Sequence, residues 1–203
     1  MNIEVLKHAS IKLNGDINIY FDPYQIETEY YDADYIFITH DHYDHYDDDS
    51  INKIINENTK IIVPKCLQEK TTNYKNVLVV EPNKKYQLDN ITFETVSSYN
   101  ITSPFHPKEK DYVGYNVLID QTKYYVMGDT NRTEETNLVK TDICFVPIGG
   151  TYTMDVKEAS DYINYIKPQK AIPIHYGSIV GDKSLANDFK KLINEEIEVE
   201  ILI

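Results

Sequence analysis

The chain has 203 residues, 33 acidic against 20 basic side chains, a net charge of −13 and two cysteines. That length fits one domain spanning 1–203, large enough to bury a core without staples. The charge repels phosphate backbones and anionic lipid surfaces, which sets nucleic acid and membrane low among the expected partners. Cys66 and Cys144 are 78 positions apart and form no CxxC, so the expected compartment is a reducing cytoplasm. No stretch approaches the roughly 20 apolar residues of a membrane span, and the opening residues lack a leader-like apolar run.

Residues 11–13 and 17–21 flank the turn "NGD" and predict a hairpin. Residues 34–38, "DYIFI", are a short apolar run of buried-strand type. Asp49 is placed to cap a short helix carrying Ile51, Ile54 and Ile55. Strands follow at 60–63, 77–80 and 91–96. Residues 114–120 and 123–128 predict a second hairpin around Gln121 and Thr122, and 142–147 a further strand. Asp155 with Glu158 resembles a capping box, followed by Val156, Ala159, Ile163 and Ile166 at helical spacing. A strand at 171–174, a helix through Leu185, Phe189, Leu192 and Ile193, and a strand at 199–203 complete the chain. Apolar strands interleaved with amphipathic helices predict sheets covered by helices, an α/β class.

The run "THDHYDH" at 39–45 follows the buried strand. In extended backbone, side chains at i and i+2 point to one side, so His40 and His42 can converge on one cation. Asp44 and His45 lie where the chain turns and can face a second. Imidazole with carboxylate suits zinc, and also iron or manganese. A solvated polar loop is the alternative, because "DDD" follows at once. The chain has six histidines in all; the other three are His8, His106 and His175. His106, Asp129 and His175 lie after strands, where functional groups are commonly displayed.

The order His-x-His-x-Asp-His, a single His 61 residues on, Gly-Asp 23 further and a His 46 further resembles the metallo-β-lactamase-fold hydrolase superfamily. The wording "FHPK", "VGY", "GDT", "PIGGTYTM" and "IPIHYG" is similar to its compact prokaryotic branch, near the ascorbate-phosphate lactonases. The resemblance runs from residue 21 to residue 177. It implies a four-layer αββα sandwich and two divalent metal ions, zinc first among them. One ion would take His40, His42 and His106, the other Asp44, His45 and His175, with Asp129 bridging. Asp22 matches a supporting carboxylate of the superfamily, and is equally a turn residue before Pro23.

Two cations roughly 3.5–4 Å apart can share a water and bring its pKa toward neutrality. The resulting hydroxide would attack a small-molecule ester, lactone or phosphoester. Asp44 and Asp129 are the catalytic candidates, Asp44 orienting the nucleophile and handing a proton to the leaving group. His8, Asn100, Lys108, Tyr152 and Tyr176 are candidates for positioning substrate. His8 stands in "LKHAS", similar to a "GHSS" stretch of relatives, but Lys7 replaces the glycine. A merely packed or exposed His8 is the alternative, and its loss is expected to leave metal content unchanged. The competing functions are a nuclease of the same fold, which the charge disfavours, and a non-catalytic metal-binding protein. A homo-oligomer stays open.

Overall fold

The computed structural model describes residues 1–89, 91–101 and 103–203. Short apolar strands build its first sheet. β1 (Asn2–Lys7), β2 (Ser10–Asn14) and β3 (Asn18–Phe21) form an antiparallel meander. β4 (Tyr35–Phe37), β5 (Lys60–Pro64) and β6 (Val77–Val80) then add in parallel, in the order β1-β2-β3-β4-β5-β6. In the second sheet, β7 (Lys85–Leu88), β8 (Ile91–Ser97), β9 (Val113–Ile119) and β10 (Thr122–Val126) are antiparallel. β11 (Ile143–Pro147), β12 (Lys170–Ile174) and β13 (Glu198–Val199) extend it in parallel from β10.

The inward residues of both sheets share one core. Ile11, Leu13, Phe21 and Phe37 meet Phe93, Tyr115, Val126, Phe145 and Ile172. Phe37 stacks on Phe21 at 5.1 Å and meets the rings of Tyr115 and Phe93 edge-on at 5.0 and 5.2 Å. A fully buried side chain of this size contributes about 1.5–3 kcal/mol. Surface ion pairs such as Lys157–Asp161 contribute about 0–1 kcal/mol each, so the apolar layer between the sheets dominates. α1 (Asp48–Ile54) covers the outer face of the first sheet with Ile51 and Ile54. α2 (Val156–Ile166) and α3 (Leu185–Leu192) cover the second through Ala159, Tyr162, Ile163 and Phe189. The result is the αββα sandwich the resemblance implied. Among the described residues no helix is long and apolar enough to cross a membrane.

Local details depart from the sequence reading. α1 is capped by Asp47, not Asp49. Three adjacent aspartates can each cap, and contacts made by Asp47 select it: its carboxylate accepts from Ser50 Oγ at 2.6 Å and from the Gln25 N–H at 3.2 Å. The capping box is half made. Asp155 accepts from the Glu158 N–H at 2.8 Å, while the Glu158 carboxylate takes the Arg132 N–H and Asn131 Nδ2 instead. The second hairpin turns one residue early, on Asp120 and Gln121, both left-handed with φ 47° and 68°. β1 and β7 were not anticipated. Both are edge strands with half-exposed faces, so their alternation is weak. The last strand shrinks to Glu198–Val199.

Candidate metal centre

The loops leaving β1, β3, β4, β8, β10, β11 and β12 meet at one place. Two glycines make that approach feasible. A Cβ on Gly149 would stand 2.3 Å from the His175 carbonyl oxygen, so only glycine lets this loop pass. Gly128 adopts φ +66° and turns the chain into Asp129, with Thr39 against it.

The structure brings together all seven residues read as ligands. His40 Nε2 and His106 Nε2 lie 3.2 and 3.1 Å from His42 Nδ1. His45 Nε2 and His175 Nε2 each lie 3.7 Å from Asp44 Oδ2. The Asp129 carboxylate stands between the two groups. Its Oδ1 is 3.3 Å from His45 Nε2, and its Oδ2 is 3.4 Å from His106 Nε2 and 3.0 Å from His175 Nε2. His8, read only as a substrate contact, also arrives, with Nε2 3.3 Å from Asp44 Oδ2.

A set of hydrogen bonds fixes these rings from behind. Asp22 accepts from the Thr39 N–H, from Thr39 Oγ1 and from His45 Nδ1, each at 2.7 Å. With its Nδ1 proton held by Asp22, His45 turns Nε2 toward Asp44 and Asp129. Thr39 Oγ1 stands 2.9 Å from His40 Nδ1, and Asn100 Oδ1 stands 2.8 Å from His106 Nδ1. Asp22, whose backbone has φ 44°, is therefore both a turn residue and a support.

Burial pushes His106 down to about 4 and holds His40 well below the usual imidazole range. Burial also acts downward on His45 and His175, but the Asp129 carboxylate outweighs it and both shift up. Asp129 itself is pushed up by burial, yet the His175 and His45 imidazoles prevail and hold it ionised. Four buried atoms, His8 Nε2, His45 Nε2, His175 Nε2 and Asp129 Oδ1, have no hydrogen-bond partner. A buried polar atom left unpaired costs about 1–3 kcal/mol, and four of them converging fit a cation that they would coordinate. The donor atoms group as His40, His42 and His106; as His40, His45 and Asp129; and as His8, Asp44, His45 and His175.

A cleft of about 390 Å³ opens onto this cluster, lined by Asp41, His42, Tyr43, Asp44, Phe105, His106, Asp129, Tyr152 and Ile179. Of the five substrate candidates only Tyr152 lines it. Tyr176 is corrected: its side chain is fully buried in the layer beneath α2 and α3, because the left-handed His175, φ 58°, breaks the alternation that turns Ile172 and Ile174 toward the other sheet. Lys108 is corrected too. Its ammonium bonds Glu135 at 2.6 Å and the Tyr99 hydroxyl at 3.3 Å, beside a separate hollow of about 760 Å³. Asn100 faces His106 rather than the cleft, and donates to the Tyr152 carbonyl at 2.9 Å. His8 is 1% exposed and does not line the cleft. The sequence reading missed Tyr43, Phe105 and Ile179, exposed apolar side chains at the cleft mouth. Adjacency to the ligands Asp44 and His106 was the one signal available for the first two.

The model of the β-lactamase superfamily domain matches residues 2–175. The chain is 28% identical to a UPF0173 metal-dependent hydrolase of Pyrococcus horikoshii, over all of this chain and 96% of the relative. It is 31% identical to a UPF0173 protein of Pyrococcus abyssi, over 89% of this chain and 84% of the relative. A crystal structure from Parabacteroides distasonis, assigned as a metal-dependent hydrolase, superimposes with a TM-score of 0.85 at 29% identity. That match covers 98% of this chain and 91% of the other. With the sandwich, the converging donors and these relatives in place, the chain belongs to the β-lactamase superfamily and, within it, to the UPF0173 proteins.

Proposed function

We propose that the chain is a dinuclear metal-dependent hydrolase of an uncharged small molecule, an ester or lactone carrying an apolar group. The observation that carries this is the Asp129 carboxylate, within 3.4 Å of imidazoles from both triads at the floor of the cleft. His40, His42 and His106 would hold one cation and Asp44, His45 and His175 the other, with Asp129 shared. Bound divalent cations supply Lewis acidity toward a carbonyl and lower the pKa of water. Nitrogen and carboxylate donors suit zinc, manganese or iron.

The chain's own groups supply the rest. Asp44 lies at the cleft floor with its carboxyl held below the usual range. Burial raises it, but His175 and His8 outweigh that. It is therefore an anion and a weak base, suited to holding a cation and to orienting an attacking water through a hydrogen bond. Tyr43, Phe105, Tyr152 and Ile179 offer apolar surface to a substituent. Phe105 and Tyr152 meet edge-on at 4.7 Å and form one wall. Among the described residues no lysine or arginine lines this cleft, which favours a carboxylic ester or lactone over a phosphoester and speaks against a nuclease. The two cysteines are unpaired, in keeping with a cytoplasmic protein.

Metal analysis and a substrate panel test this. Purified protein should hold close to two transition-metal ions per chain and hydrolyse aryl esters or lactones. Chelation should abolish turnover and added zinc or manganese restore it. Turnover of phosphodiesters alone would overturn the substrate class, and absence of any metal uptake would overturn the whole reading.

A further inference from the structure

We propose that His8 is itself a ligand of the second metal position. That half of the centre then presents four donors of its own, His8, Asp44, His45 and His175, in addition to the shared Asp129. The inference rests on the dinuclear reading above and goes beyond it.

Three observations carry it. The first is backbone. His8 sits at the corner between β1 and β2 with φ 56°, a left-handed conformation in which histidine is enriched. The corner turns the ring toward the loops of the second sheet. Here the His8 carbonyl accepts the N–H of His175 at 3.0 Å, and His175 is left-handed as well, with φ 58°. Two loops from different sheets are thus tied at the two histidines, and their rings lie 3.9 Å apart.

The second observation is the ring's hydrogen bonding. Nδ1 lies 3.0 Å from Ser178 Oγ. Nε2 lies 3.3 Å from Asp44 Oδ2 and has no hydrogen-bond partner. One nitrogen held by the protein and the other bare is how a metal-binding imidazole is oriented. His45 shows the same pattern, with Asp22 on Nδ1 and Nε2 bare.

The third is what the ring cannot do. It is 1% exposed and absent from the cleft lining, so it does not meet substrate directly. Core packing alone does not account for it, since an apolar side chain would fill the space without burying an unpaired nitrogen. A cation among His8, Asp44, His45 and His175 satisfies the Nε2 atoms of His8, His45 and His175 at once.

The two positions then differ in kind. The first has three imidazoles and a share of Asp129. The second has three imidazoles, Asp44 and a share of Asp129. Zinc in protein sites is commonly four-coordinate, whereas five protein donors suit an ion that accepts five or six.

His8→Gly is the informative variant, because glycine adopts the left-handed corner without strain. Far-UV circular dichroism should match wild type. His8→Asn, which also tolerates this conformation, serves as the second variant should the first fail to fold. Cobalt(II) titration, followed by visible absorption, and elemental analysis after gel filtration are the readouts. Wild type should retain two ions, and His8→Gly one. Affinity for the second ion should fall by more than the roughly 10–100-fold typical when a supporting partner is lost. Free imidazole should restore the second ion and its spectrum in His8→Gly. Ser178→Ala should give a smaller loss in the same position. Two ions bound by His8→Gly with wild-type affinity and spectrum would overturn the proposal and leave the dinuclear reading standing. A wild-type chain that binds no metal would overturn both.

Discussion

The two halves of the centre are supported differently. His40 and His106 are each held by a single bond, from Thr39 and from Asn100, and His42 is only half-buried at the cleft wall. The other half is more heavily cross-linked. His45 and His175 are as buried as His40 and His106, and His45 is fixed by an Asp22 carboxylate that accepts three hydrogen bonds. His8 and His175 are joined through the backbone. A half with several cross-links and a half with few should differ in how tightly and how slowly they exchange a cation. Both halves reach the cleft, the first through His42 and His106 and the second through Asp44.

Asp129→Ala should have the largest effect, because this carboxylate alone spans both halves. Elemental analysis should show both ions lost, and hydrolysis should fall by at least the roughly 10²–10³-fold caused by removing one electrostatic stabiliser. Retention of one ion would show that the halves are independent. Asp22→Asn should weaken the half that contains His45 and Asn100→Ala the half that contains His106, each by about 10–100-fold in metal affinity, read by competition with a chelator. If both variants release the same ion, the two halves are not separately supported.

Phe105→Ala should leave metal content intact and lower kcat/KM for esters with apolar substituents by about 10-fold, the scale of a lost apolar pocket contact. A variant equally slow on methyl and aryl esters would show that the ring shapes the site rather than binding a substituent. Lys108→Ala should have the smallest effect, with metal content and turnover unchanged. Its influence should be confined to acid stability. Burial raises the Glu135 carboxyl, but Lys108 and Tyr99 outweigh this and hold it at about 2, below its ordinary value of 4.5. A depressed carboxylate contributes stability above its unfolded pKa and loses it as pH falls toward the folded one. Wild type and Lys108→Ala should therefore differ slightly in melting temperature above about pH 4.5 and converge near pH 2, with little difference at any pH because the pair is exposed.

The cluster at 39–45 was legible because its ligands are local. A strand end fixes the direction of His40 and His42 within a few residues, whatever the rest of the chain does. His106, Asp129 and His175 were legible only as an ordered series, and the sandwich that unites them was read from that order. Core strands such as β4 and β9 announced themselves by apolar runs, whereas the edge strands β1 and β7, half exposed, did not.

By itself, then, the sequence determined the class of fold and pointed to seven donors that the structure brings together, the strands through local periodicity and the donors through their resemblance to a family's ordered pattern. The tertiary structure alone decided where His8, Lys108 and Tyr176 point. His8 meets a serine 170 positions away, Lys108 is taken by Glu135, and Tyr176 turns into the core. Each outcome depends on which distant group arrives beside the side chain, and that is set by how the two sheets pack rather than by any local pattern.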